Sequence, residues 1–147
     1  MKRNKQMQRI IIVGCGHLGA ALANKLSHEG NKVTIIDMNP SLFGHLSDDF
    51  SGFRIEGDAT QIAVLTEAGI KNTTAVIALT NDDNANLMVT QVARNVFQVP
   101  HVMARVYDPR RAMLFDKLGI NTVNPTSITM EILLRNLANT VADGGSQ

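Results

Sequence analysis

The sequence predicts an α/β domain built on a doubly wound, all-parallel sheet of six strands in the order 3-2-1-4-5-6. Three observations carry this. Short apolar, β-branched runs alternate with helical patterns along the chain, as in parallel strands joined by crossover helices. Residues 10–19, Ile-Ile-Ile-Val-Gly-Cys-Gly-His-Leu-Gly, run from a buried strand through a glycine-rich turn into a helix. Gly30, Gly69 and Gly119 each close a helical pattern just before a strand, which is the turn chemistry of helix-to-strand connections.

The elements follow in order. The first strand covers residues 9–13, and its unbroken apolar run requires cover on both faces. The helix after it carries Leu18, Ala21, Leu22 and Leu26 at helical spacing, and Gly30 ends it. Residues 33–37 form a second strand. Asn39-Pro40 opens a short helix, with asparagine as N-cap and proline at the first helical position. A third strand at residues 53–56 is closed by Gly57-Asp58, and a helix from about Gln61 ends at Gly69. Residues 75–79 are apolar throughout and form a central fourth strand. Asp82 and Asp83 open a longer helix whose expected apolar stripe is Ala85, Met88, Val89, Val92, Ala93 and Val96. The fifth strand covers residues 101–106. Asp108-Pro109 caps a helix that stops at Gly119, a short sixth strand spans 121–123, and Pro125 leads a final helix. Residues 1–8 read as a basic N-terminal tail, 9–141 as one Rossmann nucleotide-binding domain, and 142–147 as a flexible C-terminal end.

Composition sets further limits. At 147 residues the chain suits one domain with one substantial core. It is 44% hydrophobic and 18% charged with a net charge of +1, a balance that does not call for nucleic acid. The single cysteine, Cys15, allows no internal disulfide and suits a reducing cytosol. No apolar run approaches the roughly 20 residues needed to cross a bilayer.

In a sheet of this order, ligands bind beyond the carboxyl ends of the strands, where the strand order reverses. Gly14 permits the tight turn, Gly16 lets main chain approach a pyrophosphate, and Gly19 lets the helix pack closely on the strand. The N–H groups from His17 to Gly19 open a helix and face the phosphates, where the helix dipole favours negative charge. Asp37, closing the second strand, is placed to accept both ribose hydroxyls and to repel a 2′-phosphate; its plainer reading is a turn aspartate. Asp58 accepts from an adenine amino group or caps the following helix. Arg105 pairs with a phosphate or bridges Asp82 or Asp108. Cys15 is read first as a small packed residue, and His17 as a solvated side chain with a second reading as a contact to phosphate or a neighbouring subunit. The candidate cofactor contacts are therefore Gly14, Cys15, Gly16, His17, Leu18, Gly19, Asp37, Met38, Asp58, Ala59, Leu79, Thr80 and Arg105. The candidate ligands are NAD(H) and the adenine nucleotides AMP, ADP and ATP.

No catalytic or metal-ligating set stands out. There is no clustered His/Cys pattern and no serine placed as a nucleophile elbow. Tyr107 is followed four residues later by Arg111, so a Tyr-x-x-x-Lys pair is absent. A nucleotide site without a reaction partner points to sensing rather than to catalysis. The alternative is an NAD-dependent oxidoreductase, or its cofactor-binding half.

Several segments, in order along nearly the whole chain, resemble the N-terminal domain of the regulator of potassium conductance (RCK) family, also called the KTN or TrkA-N domain. They are Val13-Gly14-Cys15-Gly16-His17-Leu18-Gly19, Val33-Thr34-Ile35-Ile36-Asp37, Gly57-Asp58-Ala59-Thr60, Ala78-Leu79-Thr80-Asn81-Asp82-Asp83-Asn84-Ala85-Asn86-Leu87, Ala104-Arg105-Val106 and Lys117-Leu118-Gly119-Ile120. The resemblance implies a cytoplasmic, nucleotide-binding regulatory subunit at the inner face of the membrane. Its partner would be a membrane-embedded potassium transporter or channel subunit. It also implies homodimers that build larger rings, with ligand exchange altering the ring and so the gate. Two residues depart from members that respond to nucleoside triphosphates: His17 replaces an arginine, and Thr126 after Pro125 replaces a glutamate. That shifts weight from metal-bound ATP toward NAD(H), AMP or ADP.

The final helix bears on assembly. Met130, Leu133, Leu134, Leu137 and Val141 form one apolar stripe, and Ile128 and Ile132 widen it. A helix apolar over more than one face is deeply buried or docks on another chain. In the RCK family it commonly crosses to a partner, so a dimer is expected; the alternative is that it covers its own sheet.

Overall fold

The computed structural model describes residues 6–144; the outer part of the expected basic tail and residues 145–147 lie outside the described residues. Six parallel strands form one sheet: β1 (Arg9–Val13), β2 (Lys32–Asp37), β3 (Phe53–Glu56), β4 (Ala75–Ala78), β5 (His101–Arg105) and β6 (Asn121–Val123). The order is β3-β2-β1-β4-β5-β6, as the sequence predicts. β1 pairs with both β2 and β4, so the reversal of strand order falls beside its carboxyl end. The helices are α1 (His17–His28), α2 (Ile62–Glu67), α3 (Asp83–Gln91), α4 (Pro109–Lys117) and α5 (Pro125–Gly144). Gly30, Gly69 and Gly119 all have positive φ, as their helix-ending role requires.

Alternate residues of β1 feed two cores, one on each face of the sheet. Ile11 and Val13 join Leu65 of α2, Val89 of α3 and Phe115 of α4. Ile10 and Ile12 join Ala20 and Ala23 of α1, with Leu46 and Phe50 from the segment before β3. Ile12, Ile35 and Ile36 are fully buried, each stabilising the fold by roughly 1.5–3 kcal/mol relative to exposure.

Two helix faces differ from expectation. The side of α1 that meets the sheet is Gly19, Ala20, Ala23 and Ser27, while Leu18 and Ala21 are exposed and Leu22 and Leu26 lie half-buried on its flank. Small residues win this position because α1 must run close beneath the glycine turn. In α3 the inward positions are Asp83, Asn86, Val89 and Thr90, whereas Met88 is 51% exposed. Asp83 and Asn86 point inward because the ends of β4 and β5 and the loop after β5 supply their hydrogen-bond partners, while the Thr90 hydroxyl donates to the Asn86 and Leu87 carbonyls of its own helix. α3 then passes into a π turn, Val92–Val96. That wider turn resets the helical register and leaves Val96 outside the core. The segment opened by Asn39-Pro40 is a 3-10 turn, Pro40–His45, and the Asn39 side chain caps it through Ser41 N–H.

α5 runs on through Gly144, and no residue of it is buried. The alternative reading, that it covers its own sheet, is therefore not met within the described residues. No helix among the described residues is long and apolar enough to cross a membrane.

Candidate functional site

A cleft of about 390 Å3 opens beyond the carboxyl ends of β1, β2 and β4. Of the candidate residues, Gly14, Gly16, Asp37, Met38, Asp58, Ala59, Leu79, Thr80 and Arg105 line it. Cys15, His17, Leu18 and Gly19 do not.

The glycine turn is fixed from several sides. Gly14 has φ +105°, and its N–H donates to the Ile36 carbonyl at 2.8 Å. A side chain there would also press on the Leu79–Thr80 peptide at 3.0 Å. A methyl on Gly19 would overlap the Gly14 carbonyl oxygen. These two glycines are thus required by the protein's own packing. Gly16 is not. Its backbone is extended (φ −70°, ψ −170°), open to any residue, and a Cβ built on it meets nothing within 4 Å. The space beside it is the cleft. No side chain caps α1, so the N–H groups of its first turn remain free for solvent or an anion.

Asp37 performs the turn role directly. Its Oδ2 accepts from Cys15 N–H at 2.8 Å and its Oδ1 from Asn39 N–H at 2.8 Å. Each carboxylate oxygen keeps a second lone pair, so this bracing leaves acceptor capacity toward the cleft. Next to it, Met38 is 69% exposed over the cleft mouth. Cys15 is buried beneath the turn, with its Sγ 3.4 Å from the Leu42 carbonyl. Burial, then the nearby Asp37 carboxylate, push its thiol up to about 11. It is a packed thiol, as its first reading has it. Leu18 is 42% exposed, and His17 stacks on His45 with ring centroids 4.6 Å apart.

On the adjacent strand end, Asp58 Oδ1 accepts from the hydroxyl of Thr60 at 2.6 Å and from its N–H at 2.9 Å. Those bonds, the hydroxyl first, hold the carboxyl below the usual carboxylate range. α2 begins at Ile62 with Gln61 at its cap position, so Asp58 closes the preceding turn rather than capping the helix.

The far wall comes from β4 and β5, held by Asn86, which the sequence reading does not single out, and by Asp83, which it expects only to open α3. Asn86 is wholly buried and joins the two strand ends: it accepts from Thr80 N–H and hydroxyl and donates to the Thr80 and Arg105 carbonyls. Asp83 accepts from the N–H groups of Tyr107 (2.9 Å) and Asp108 (3.1 Å), tying α3 to the loop after β5. Their signal was the spacing Thr80-x-x-Asp83-x-x-Asn86, which apolar periodicity discards. Arg105 makes neither expected ion pair. Asp82 instead caps α3, and Asp108 pairs with Arg110 at 3.3 Å. Arg105 Nη2 donates to Asn81 Oδ1 at 3.0 Å, and its guanidinium lies 5.0 Å from the Tyr107 ring centroid. Its Nε is buried without a partner. Among the described residues no group of three or more potential ligands is placed to hold a metal ion.

The family model of the TrkA-N domain matches residues 10–125. The chain belongs to the TrkA-N domain family. This TrkA-N chain is 42% identical over 128 residues to the Trk system potassium uptake protein TrkA of Streptomyces coelicolor, covering 87% of itself and 57% of that relative. It thus spans little more than half of that relative's length. Among solved structures it is similar to the GsuK RCK domain, with TM-score 0.76 and 26% identity over 92% of this chain and 29% of that one. The GsuK channel bound to NAD shares the fold at TM-score 0.67 and 22% identity, covering 84% of this chain and 22% of that one. The Kef C-terminal domain of Shewanella denitrificans in its AMP-bound form shares it at TM-score 0.74 and 23% identity, covering 93% of this chain and 87% of that one.

Proposed function

We propose that this TrkA-N domain is a regulatory module of a potassium transport system. It binds NAD(H) or an adenine nucleotide (AMP, ADP or ATP) in the cleft. It acts from the cytoplasm, at the inner face of the membrane, on a membrane-embedded potassium transporter or channel subunit. The observation that carries the nucleotide reading is the cleft at the β1–α1 turn: Gly16 lines it and a Cβ there would meet no protein atom within 4 Å, which leaves room for a phosphate against the turn. The free N–H groups of α1 then meet the phosphates, Asp37 meets the ribose hydroxyls, and Asp58, Met38 and Ala59 border the adenosine. Arg105, with its unpartnered Nε, meets negative charge at the other end, beside Leu79 and Thr80. Fold neighbours bound to NAD and to AMP support this ligand class. Relatives named as potassium uptake proteins favour regulation over the oxidoreductase alternative.

Calorimetry with NAD⁺, NADH, AMP, ADP, ATP and NADP⁺ tests the reading. The wild type should bind members of the set with free 2′-hydroxyls and bind NADP⁺ about tenfold more weakly or worse, a difference of about 1.4 kcal/mol. Asp37→Ala should erase that preference. Gly16→Ala should weaken binding by about tenfold or more while melting with the wild type, since its methyl has room in the free protein. Equal affinity for NADP⁺ and NAD⁺ would remove the ribose role of Asp37.

The same reading includes a homodimer, and rings built from dimers. Ile128, Met130, Ile132, Leu133, Leu134, Leu137 and Val141 are between 47% and 66% exposed on α5, far more contiguous apolar surface than a lone helix leaves in water. Light scattering after size exclusion should give a dimer at micromolar concentration, and Leu134→Asp with Leu137→Asp should give a monomer. A monomeric wild type would sink the dimer.

A further inference from the structure

His45 is the last residue of the Pro40–His45 turn, thirty positions from the glycine turn, yet its Nδ1 lies 3.1 Å from the Cys15 carbonyl oxygen. A carbonyl oxygen only accepts, so this contact is a hydrogen bond only when Nδ1 carries the hydrogen. For the neutral ring, the hydrogen bond therefore requires the Nδ1–H tautomer. The His17 ring stacks on the His45 ring with an interplanar angle of 27° and limits how that ring can turn.

The consequence lies in the peptide plane. The described chain has no cis peptide, so the Gly16 N–H points opposite to the Cys15 C=O. With the carbonyl drawn to His45, the Gly16 N–H is turned away from it. The preceding peptide is held in the same manner, because Cys15 N–H donates to Asp37 Oδ2 at 2.8 Å. The two peptide groups flanking Cys15 are thus set by two side chains outside the glycine motif, one from β2 and one from the turn after it. Without them, an extended glycine at position 16 has no Cβ to limit its rotation.

We propose that His45 is a positioning residue for nucleotide binding: its Nδ1–H holds the Cys15–Gly16 peptide in the orientation that presents the turn's amides to phosphate. This rests on the reading of the cleft as a nucleotide site. His45 is exposed at the surface, so its removal leaves the core intact. What it supplies is preorganisation, the avoided cost of ordering the turn when ligand arrives.

The test uses wild type, His45→Leu and His45→Asn. Asparagine places its Nδ2 donor where the Nδ1 of histidine lies; leucine has no donor. Calorimetry with ADP and with NAD⁺ should show His45→Leu binding about 3- to 10-fold more weakly, the worth of one hydrogen bond, and His45→Asn within about twofold of wild type. All three should melt together. Independently of any ligand, nitrogen NMR of the neutral imidazole should show His45 as the Nδ1–H tautomer, the minor form of free histidine. The proposal is overturned by wild-type affinity in His45→Leu, by an Nε2–H tautomer at His45, or by weakened binding in both variants that tracks a lowered melting temperature. Failure of the wild type to bind any of NAD⁺, NADH, AMP, ADP and ATP overturns the cleft reading itself and this proposal with it, which is a different result from binding that is indifferent to position 45.

Discussion

Gly19→Ala is expected to destabilise the domain by about 3 kcal/mol and to lower its melting temperature by roughly 10 °C. The added methyl would overlap the Gly14 carbonyl oxygen and lie 2.9 Å from the carbonyl carbon, with Ile12 Cγ2 at 3.7 Å. The obstacle is main chain, so no rotamer change relieves it. Gly14 cannot yield either. Its N–H is tied to the Ile36 carbonyl at 2.8 Å, and the Leu79–Thr80 peptide stands behind it. The only escape is for α1 to lift from the sheet, which opens the packing of Ala20 and Ala23, only 2% and 0% exposed. The proposed nucleotide binding should fail with the fold, because the lifted helix takes with it the amides assigned to phosphate. Gly16→Ala is the internal control: same motif, same added methyl, no obstacle. Differential scanning calorimetry of the two variants reads the difference directly, and equal melting temperatures would show that the turn is plastic and that close α1–β1 packing is not what Gly19 secures.

Much of the architecture was legible because the physics behind it is local. Runs such as Ile10 to Val13 are apolar at every position, which only a strand covered on both faces explains, and glycines at Gly30, Gly69 and Gly119 mark left-handed turns that other residues resist. The inward faces of α1 and α3 were misread for the opposite reason. Apolar periodicity weights Leu22 and Met88 above Gly19 and Asn86, yet close approach selects the small residue and hydrogen bonding to strand ends selects the polar one. Arg105 was recognised as the cation near the strand ends, but its partners depend on side-chain reach. Asp82 and Asp108 were the charges near in sequence, while Asn81 and the face of Tyr107 were the groups within reach. His45 left no signal at all, since its partner is a backbone carbonyl thirty residues away that exists only once β1 and β2 have paired.

Asn86→Leu is expected to cost at least about 3 kcal/mol although leucine has the same number and branching of side-chain heavy atoms as asparagine. The Asn86 amide is 0% exposed and uses its full capacity. Its Oδ1 accepts from Thr80 N–H at 3.0 Å and Thr80 Oγ1 at 2.6 Å. Its Nδ2 donates to the Thr80 carbonyl at 3.0 Å and the Arg105 carbonyl at 2.8 Å. Leucine would leave one N–H and two carbonyls at the ends of β4 and β5 without the partners that Asn86 supplies, and each such group, where buried, costs about 1–3 kcal/mol. Asn86→Asp separates the two halves of the clamp. It keeps the acceptor toward Thr80 but turns the donor into an oxygen facing two carbonyls, so it should also destabilise, and more at pH 8 than at pH 4, where a protonated carboxyl can supply one O–H. Urea unfolding at the two pH values, each referenced to wild type, measures this. Because Thr80 and Arg105 both line the cleft, loosening their carbonyls should weaken nucleotide binding even at urea-free, fully folded conditions. An Asn86→Leu protein that unfolds within 1 kcal/mol of wild type would mean that β4 and β5 hold their register through the ladder alone, and that the buried amide reports the strand ends rather than fixing them.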